Sequence, residues 1–157
     1  MLLYFLFAYF LERSDFLNLL LLYSGLFYAA WKIIQHTKFN FWIWAVIGIT
    51  ARVLFLPSIP NLSQDFYRFI WDGRLLVLGI NPYIFTPEQL ANGLLKATEL
   101  TSLEAISNAK VLIQGMGSLN ASHYSNYPPI NQLCFALAAL FAKTSILGSV
   151  VVLRIII

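Results

Sequence analysis

Apolar positions gather into four runs, separated by short polar breaks and one long mixed segment. The first run is Met1–Leu11 and the second is Phe16–Trp31, extended by Ile33 and Ile34. The third is Phe41–Pro57. The fourth opens at Pro129 and runs to Ile157, broken by Lys143-Thr144-Ser145 and Gly148. Runs of this length and purity predict helices suited to a bilayer, with spans at about 1–11, 16–34, 41–57 and 129–142, and the start of another over 146–157. The first run is short, because 11 residues reach only about 16 Å along a helix. The break at 143–145 predicts a tight turn.

The segment 58–128 has a different pattern. Gln64–Leu78 has helical spacing and ends at Gly79, before Asn81-Pro82. Proline disfavours helix in the residue before it, so this helix stops by Ile80. Thr86-Pro87-Glu88-Gln89 predicts a capping box with proline at the first helical position. Thr101-Ser102-Leu103-Glu104 predicts a further helix start. The Gly, Ser and Asn content of Gly115–Asn126 predicts a loop. Tyr127-Pro128-Pro129 predicts extended chain, with Pro129 opening the next helix.

Composition sharpens this picture. Of 157 residues, 59% are hydrophobic and 11% charged, against about 25% charged in soluble domains, and mean hydropathy is +0.73. An ordinary soluble domain, a disordered tail and a nucleic-acid module are excluded. The expected class is all-α, a polytopic transmembrane helical protein with short interfacial helices in a large extracytoplasmic loop. Its length allows about four or five spans, and the chain ends inside an apolar run. The expectation is therefore the N-terminal part, 1–157, of one larger membrane domain. Cys134 stands alone, which excludes an internal disulfide and gives it the role of a small apolar residue. Met1–Leu11 lacks the basic flank of a signal peptide.

The net charge of +3 matters through its placement. Lys32, His36 and Lys38 fall between the second and third runs, and Lys143 follows the fourth. Retention of basic residues on the cytoplasmic side puts these inside. Glu12–Asp15 and 58–128 then lie outside. Trp31, Trp42 and Trp44 fall near the inner boundary, as an aromatic belt requires or as lipid-facing packing would also give.

Candidate chemistry concentrates in Ser63–Arg74. Asp65, Arg68 and Asp72 are spaced i, i+3 and i+7, which puts them on one helical face. A carboxylate there could take a proton from a sugar hydroxyl, and an arginine could bind phosphate with two parallel hydrogen bonds. The plain alternative is a surface ion-pair ladder. Arg74 is about 180° from Asp65 on a straight helix, and a bend at Gly73 would be needed to bring them together. His123 could bind phosphate or sugar, or be solvated. Tyr127 could stack on sugar, or shape the helix entry. Gln132 could bind a ligand, or make an interhelical hydrogen bond. Arg52, inside the third run, could snorkel to the surface or contact a phosphate. Asn61-Leu62-Ser63 and Asn120-Ala121-Ser122 match the glycosylation pattern.

Asp65-Phe66-Tyr67-Arg68-Phe69-Ile70-Trp71-Asp72-Gly73-Arg74, then Gly79-Ile80-Asn81-Pro82-Tyr83, then Tyr127-Pro128-Pro129-Ile130-Asn131-Gln132, resemble integral-membrane glycosyltransferases of the GT-C fold. The likeness is closest to bacterial polyprenol-phosphate-mannose-dependent mannosyltransferase-like proteins. It covers 63–132 in order and spacing. The resemblance implies an active site in the outer loop 58–128 of an integral protein of the bacterial inner membrane. It implies a polyprenyl-phosphate-sugar donor, a glycan or lipid acceptor, and inverting transfer of a hexose such as mannose. By position it makes Asp65 the base. Arg68, Asp72, Arg74, His123, Tyr127, Gln132 and Arg52, on the chemistry given above, are the candidates for substrate binding. Many members carry two acids where this chain has Gln64-Asp65, which weakens the case for a divalent metal. No cofactor is otherwise implied. The rival reading is a transporter or flippase of lipid-linked or small polar substrates, for which broken, charged helices at mid-membrane would be expected.

Overall fold

The computed structural model describes residues 1–38, 40–93 and 106–157. The helix start expected at Thr101–Glu104 lies outside the described residues. The fold is all-helical, with no strand among the described residues. It divides into two compact units, Met1–Ser63 and Gln64–Ile157.

The first unit holds α1 (Leu2–Tyr9), α2 (Phe16–Thr37) and α3 (Phe41–Phe55). Asp15 starts α2 by accepting from the Asn18 amide at 3.1 Å, and Asn40 starts α3 by accepting from the Trp42 amide at 3.1 Å. These caps occupy amides that a helix leaves unpaired at its start. The chain leaving α1 is held the same way, because the Asn61 side chain donates to the Phe7 and Leu11 carbonyls at 2.8 and 2.7 Å. α2 has 22 residues, or about 33 Å. It is the one helix among the described residues long and apolar enough to cross a membrane. α1 and α3 match the predicted first and third runs in position but are shorter, at 8 and 15 residues.

The second unit holds α4 (Asp65–Val77), α5 (Pro87–Ala91), α6 (Ala109–Ala121), α7 (Pro129–Ala142) and α8 (Ile146–Ile156). Its core is built on Phe66, Ile70, Trp71 and Leu75 of α4, with Leu112 and Met116 of α6 and Val150 of α8. α4 ends as expected, with Gly79 at φ 77°. The capping box at α5 is complete: the Thr86 hydroxyl accepts from the Gln89 amide, and the Gln89 side chain accepts from the Thr86 amide. Pro129 opens α7, and the turn at 143–145 separates α7 from α8, which Ser145 caps through the Gly148 amide at 2.9 Å.

Three points of the sequence reading change or are decided. The loop expected over Gly115–Asn126 is helical as far as Ala121, with one break at Gly117 (φ 76°, ψ 162°). The glycines there serve close packing: a Cβ on Gly115 would sit 2.6 Å from the Tyr67 ring. Gly73 does not bend α4, which is continuous from Asp65 to Val77. A Cβ on Gly73 would lie 2.2 Å from the Phe135 carbonyl oxygen, so this glycine lets α4 and α7 touch backbone to backbone.

The third change concerns topology. The charge pattern puts Lys143 and the 58–128 segment on opposite faces of a membrane, yet they meet at one end of α7. The Thr144 carbonyl accepts from Asn108 Nδ2 at 2.7 Å and from Arg74 Nη2 at 3.0 Å. Phe69 meets Tyr127 near the start of α7, while Val77 and Leu78 meet Leu140 and Lys143 near its end. α4 and α7 therefore run side by side in the same direction. One exposed lysine is a weak determinant beside an interface that buries Trp71, Asp72 and Phe135.

Candidate functional site

The polar side chains predicted to share one face of α4 do so, but they are not a surface ladder. Asp72 is 0% exposed and Arg68 4%. Arg68 Nε donates to Asp72 Oδ1 at 2.8 Å. The second oxygen, Asp72 Oδ2, accepts from Ser125 Oγ at 2.5 Å and from Gln132 Nε2 at 2.9 Å. Gln132 Nε2 also donates to Ser125 Oγ at 2.7 Å. A buried carboxylate is tolerable only with such partners, because desolvation costs several kcal/mol per ion. Asp72 thus joins α4 to α7 and to the chain between α6 and α7. Gln132 makes the interhelical hydrogen bond that was one of its two expected roles.

Arg68 has a second task. Its Nη1 donates to the Asn120 and His123 carbonyls at 2.8 and 2.9 Å. These are among the last carbonyls of α6 and the residues after it, which lack helical partners. The buried Nη2 has no hydrogen-bond partner among the described residues. Three of the guanidinium's five N–H groups therefore build the fold, and two remain.

Asp65 opens α4 and is half-buried. Its Oδ1 accepts from Asn120 Nδ2 at 3.1 Å. Gln64, beside it, donates to the Met116 carbonyl at 2.9 Å, so the residue that replaces a second acid in the resembled pattern is an anchor to α6. Among the described residues, no three His, Cys, Asp or Glu side chains gather as a metal site.

Arg68, Leu119, Asn120, His123, Tyr124, Asn126 and Tyr127 line a cavity of about 560 Å³. His123 Nδ1 lies 2.6 Å from the Leu119 carbonyl, which only accepts. An N–H at Nδ1 pointing to that carbonyl satisfies the contact. The Tyr127 ring packs edge-on to Phe69 and Phe135, with centroids 5.0 and 5.6 Å away. Burial holds its phenol above the ordinary value, and the Asp65 and Asp72 carboxylates add to the effect while Arg68 opposes it. Tyr127 stays protonated, and able to donate, throughout the neutral range. The Tyr83 hydroxyl donates to the Tyr127 carbonyl, tying the Asn81-Pro82-Tyr83 turn to the same place.

Of the residues singled out from sequence, Arg68, Asp72, His123, Tyr127 and Gln132 come together, and Asp65 adjoins them through Asn120. Arg74 does not join them. It donates to the Ser107 and Thr144 carbonyls at the far end of α4. Arg52 belongs to the last turn of α3, in the first unit. Sequence reasoning missed Ser125 and gave Asn120 only a glycosylation match. Neither has a local signal, because Asn120 lies 55 residues from its partner Asp65 and Ser125 lies 53 from Asp72.

No family model matches the chain, and no curated protein or solved structure matches it significantly.

Proposed function

We propose that the protein is a polytopic membrane glycosyltransferase of the bacterial inner membrane. It transfers a hexose such as mannose from a polyprenyl-phosphate donor to a glycan or lipid acceptor, with inversion, at its outer surface. The observation that carries this reading is the half-buried Asp65 carboxylate, held by Asn120 beside the cavity that Arg68 and His123 line. The motif resemblance across 63–132 and the apolar, membrane-length α2 support it.

In this reading Asp65 takes the proton of the acceptor hydroxyl as its oxygen attacks the anomeric carbon. The bond from that carbon to the phosphate oxygen breaks, and its electron pair leaves with the polyprenyl phosphate. The free N–H groups of Arg68 and the Tyr127 phenol are donors suited to the charge that develops there. Asp72 does not touch substrate; it orients Arg68, with Ser125 and Gln132 holding it in turn. We assign α7, with α4, to the outer interface, which agrees with the meeting of Thr144, Arg74 and Asn108.

The test is transfer of labelled sugar from a polyprenyl-phosphate donor by membranes containing the protein in its native gene context. Asp65→Asn is expected to lower the rate by about 100-fold or more at equal expression. An unchanged rate would remove Asp65 as the base. Failure of the unsubstituted protein with every hexosyl donor would remove the transferase reading itself.

A further inference from the structure

A second cleft lies away from Asp65, where the C-terminal ends of α4 and α7 meet. It encloses about 330 Å³. Val77, Leu78 and Leu140 form its apolar side, and Arg74 and Lys143 its charged side. No carboxylate lines it among the described residues.

Arg74 is the unusual element. It is 5% exposed, and its hydrogen bonds go to two neutral acceptors, the Ser107 and Thr144 carbonyls. Its Nε is buried with no partner. The charge is thus desolvated without a counter-ion among the described residues, unlike that of Arg68, which has Asp72. Burial accordingly lowers the pKa of Arg74. A buried cation in this state is costly, and an anion in the cleft would offset the cost. Lys143 is exposed at the rim and would add a second, hydrated positive charge. The surface around the cleft is apolar and uncovered: Leu140 and Phe141 are 55% and 74% exposed.

We propose that this cleft binds the headgroup phosphate of an anionic phospholipid, with Arg74 and Lys143 at the phosphate and the lipid chains along Val77 and Leu140. The two ends of the cleft match the two ends of such a molecule. Among the described residues, a zwitterionic lipid would find no acid for its ammonium group. Bound there, the lipid would fasten the far end of the α4–α7 pair to the headgroup layer. The inference rests on the membrane reading above and is independent of glycosyl transfer, so a protein inactive in the transfer assay still tests it.

Native mass spectrometry of the detergent-solubilised protein, titrated with phosphatidylglycerol or phosphatidylcholine, measures the binding directly. Phosphatidylglycerol is expected to bind at a several-fold lower concentration. Lys143→Gln should reduce that preference about fivefold, the worth of one basic residue near an anionic surface, and Lys143→Arg should retain it. An unchanged melting curve for Lys143→Gln shows that the fold survives. Equal binding of the two lipids, or an undiminished preference in folded Lys143→Gln, would overturn the proposal. Inorganic phosphate that displaces phosphatidylglycerol at matched concentration would also overturn it, by showing a site for free phosphate.

Discussion

α2 has 22 residues and buries none of them within the chain, whereas α4 has 13 and buries eight. α2 is the more apolar of the two, so hydrophobicity alone would predict the reverse. The difference lies in what covers each helix. α4 is wrapped by α6 and α7, and it carries Arg68, Asp72 and Arg74 into the interior because hydrogen bonds await them there. α2 exposes Phe16, Leu17, Leu21, Tyr23 and Phe27 along one side. In water such a surface would be an aggregation site; in a bilayer its cover is lipid. The second unit is therefore ordered by its own packing, while α2 leaves an apolar surface that nothing in the first unit covers.

The largest expected effect breaks the packed half. Asp72→Ala strips Arg68, Ser125 and Gln132 of their shared acceptor. Removing one partner of a buried ion pair costs about 3–5 kcal/mol. Thermal unfolding in detergent, followed by Trp71 fluorescence, should show a large drop. An unchanged transition would mean that the network is not what holds the second unit.

On the proposed membrane reading, the first unit should fail differently. Phe27→Arg puts a charge near the middle of α2, where arginine costs about 2.5–3.5 kcal/mol on insertion scales. Carbonate extraction should release a much larger share of the protein, while the melting of the second unit stays put. Equal retention of both forms in the membrane would argue that α2 does not span it.

A smaller effect sharpens the comparison at one atom. Gly73→Ala drives a methyl group against the Phe135 carbonyl, and overpacking of this kind costs about 1–3 kcal/mol. A Cβ added to Gly48 of α3 would meet nothing within 4 Å, so Gly48→Ala should be tolerated. Paired melting curves for the two variants check this. Equal effects would dissolve the distinction between the two units.

Much of the fold could be read in one dimension because its signals are local. The capping box at Thr86–Gln89, the stop at Gly79 and the start at Pro129 each depend on residues within a turn or two of one another. The α4 stripe of Asp65, Arg68 and Asp72 is local too, since helical period alone aligns it. Gly115–Asn126 misled because glycine has two meanings, chain freedom and close approach. Which one applies depends on Tyr67, far before Gly115 in the chain.

The sequence by itself determined the helical class, the apolar character of the first unit and the face on which the α4 charges lie. Period and composition are properties of neighbours along the chain. Tertiary structure alone decided that those charges are buried, that Ser125 and Asn120 complete their hydrogen bonds, and that Arg74 leaves the cluster for the opposite end of α4. It also brought Lys143 to the same place as the 58–128 segment. Each of these rests on which backbone carbonyl or side chain lies opposite a given residue, and that follows from how closely α4, α6 and α7 approach, not from spacing along the chain.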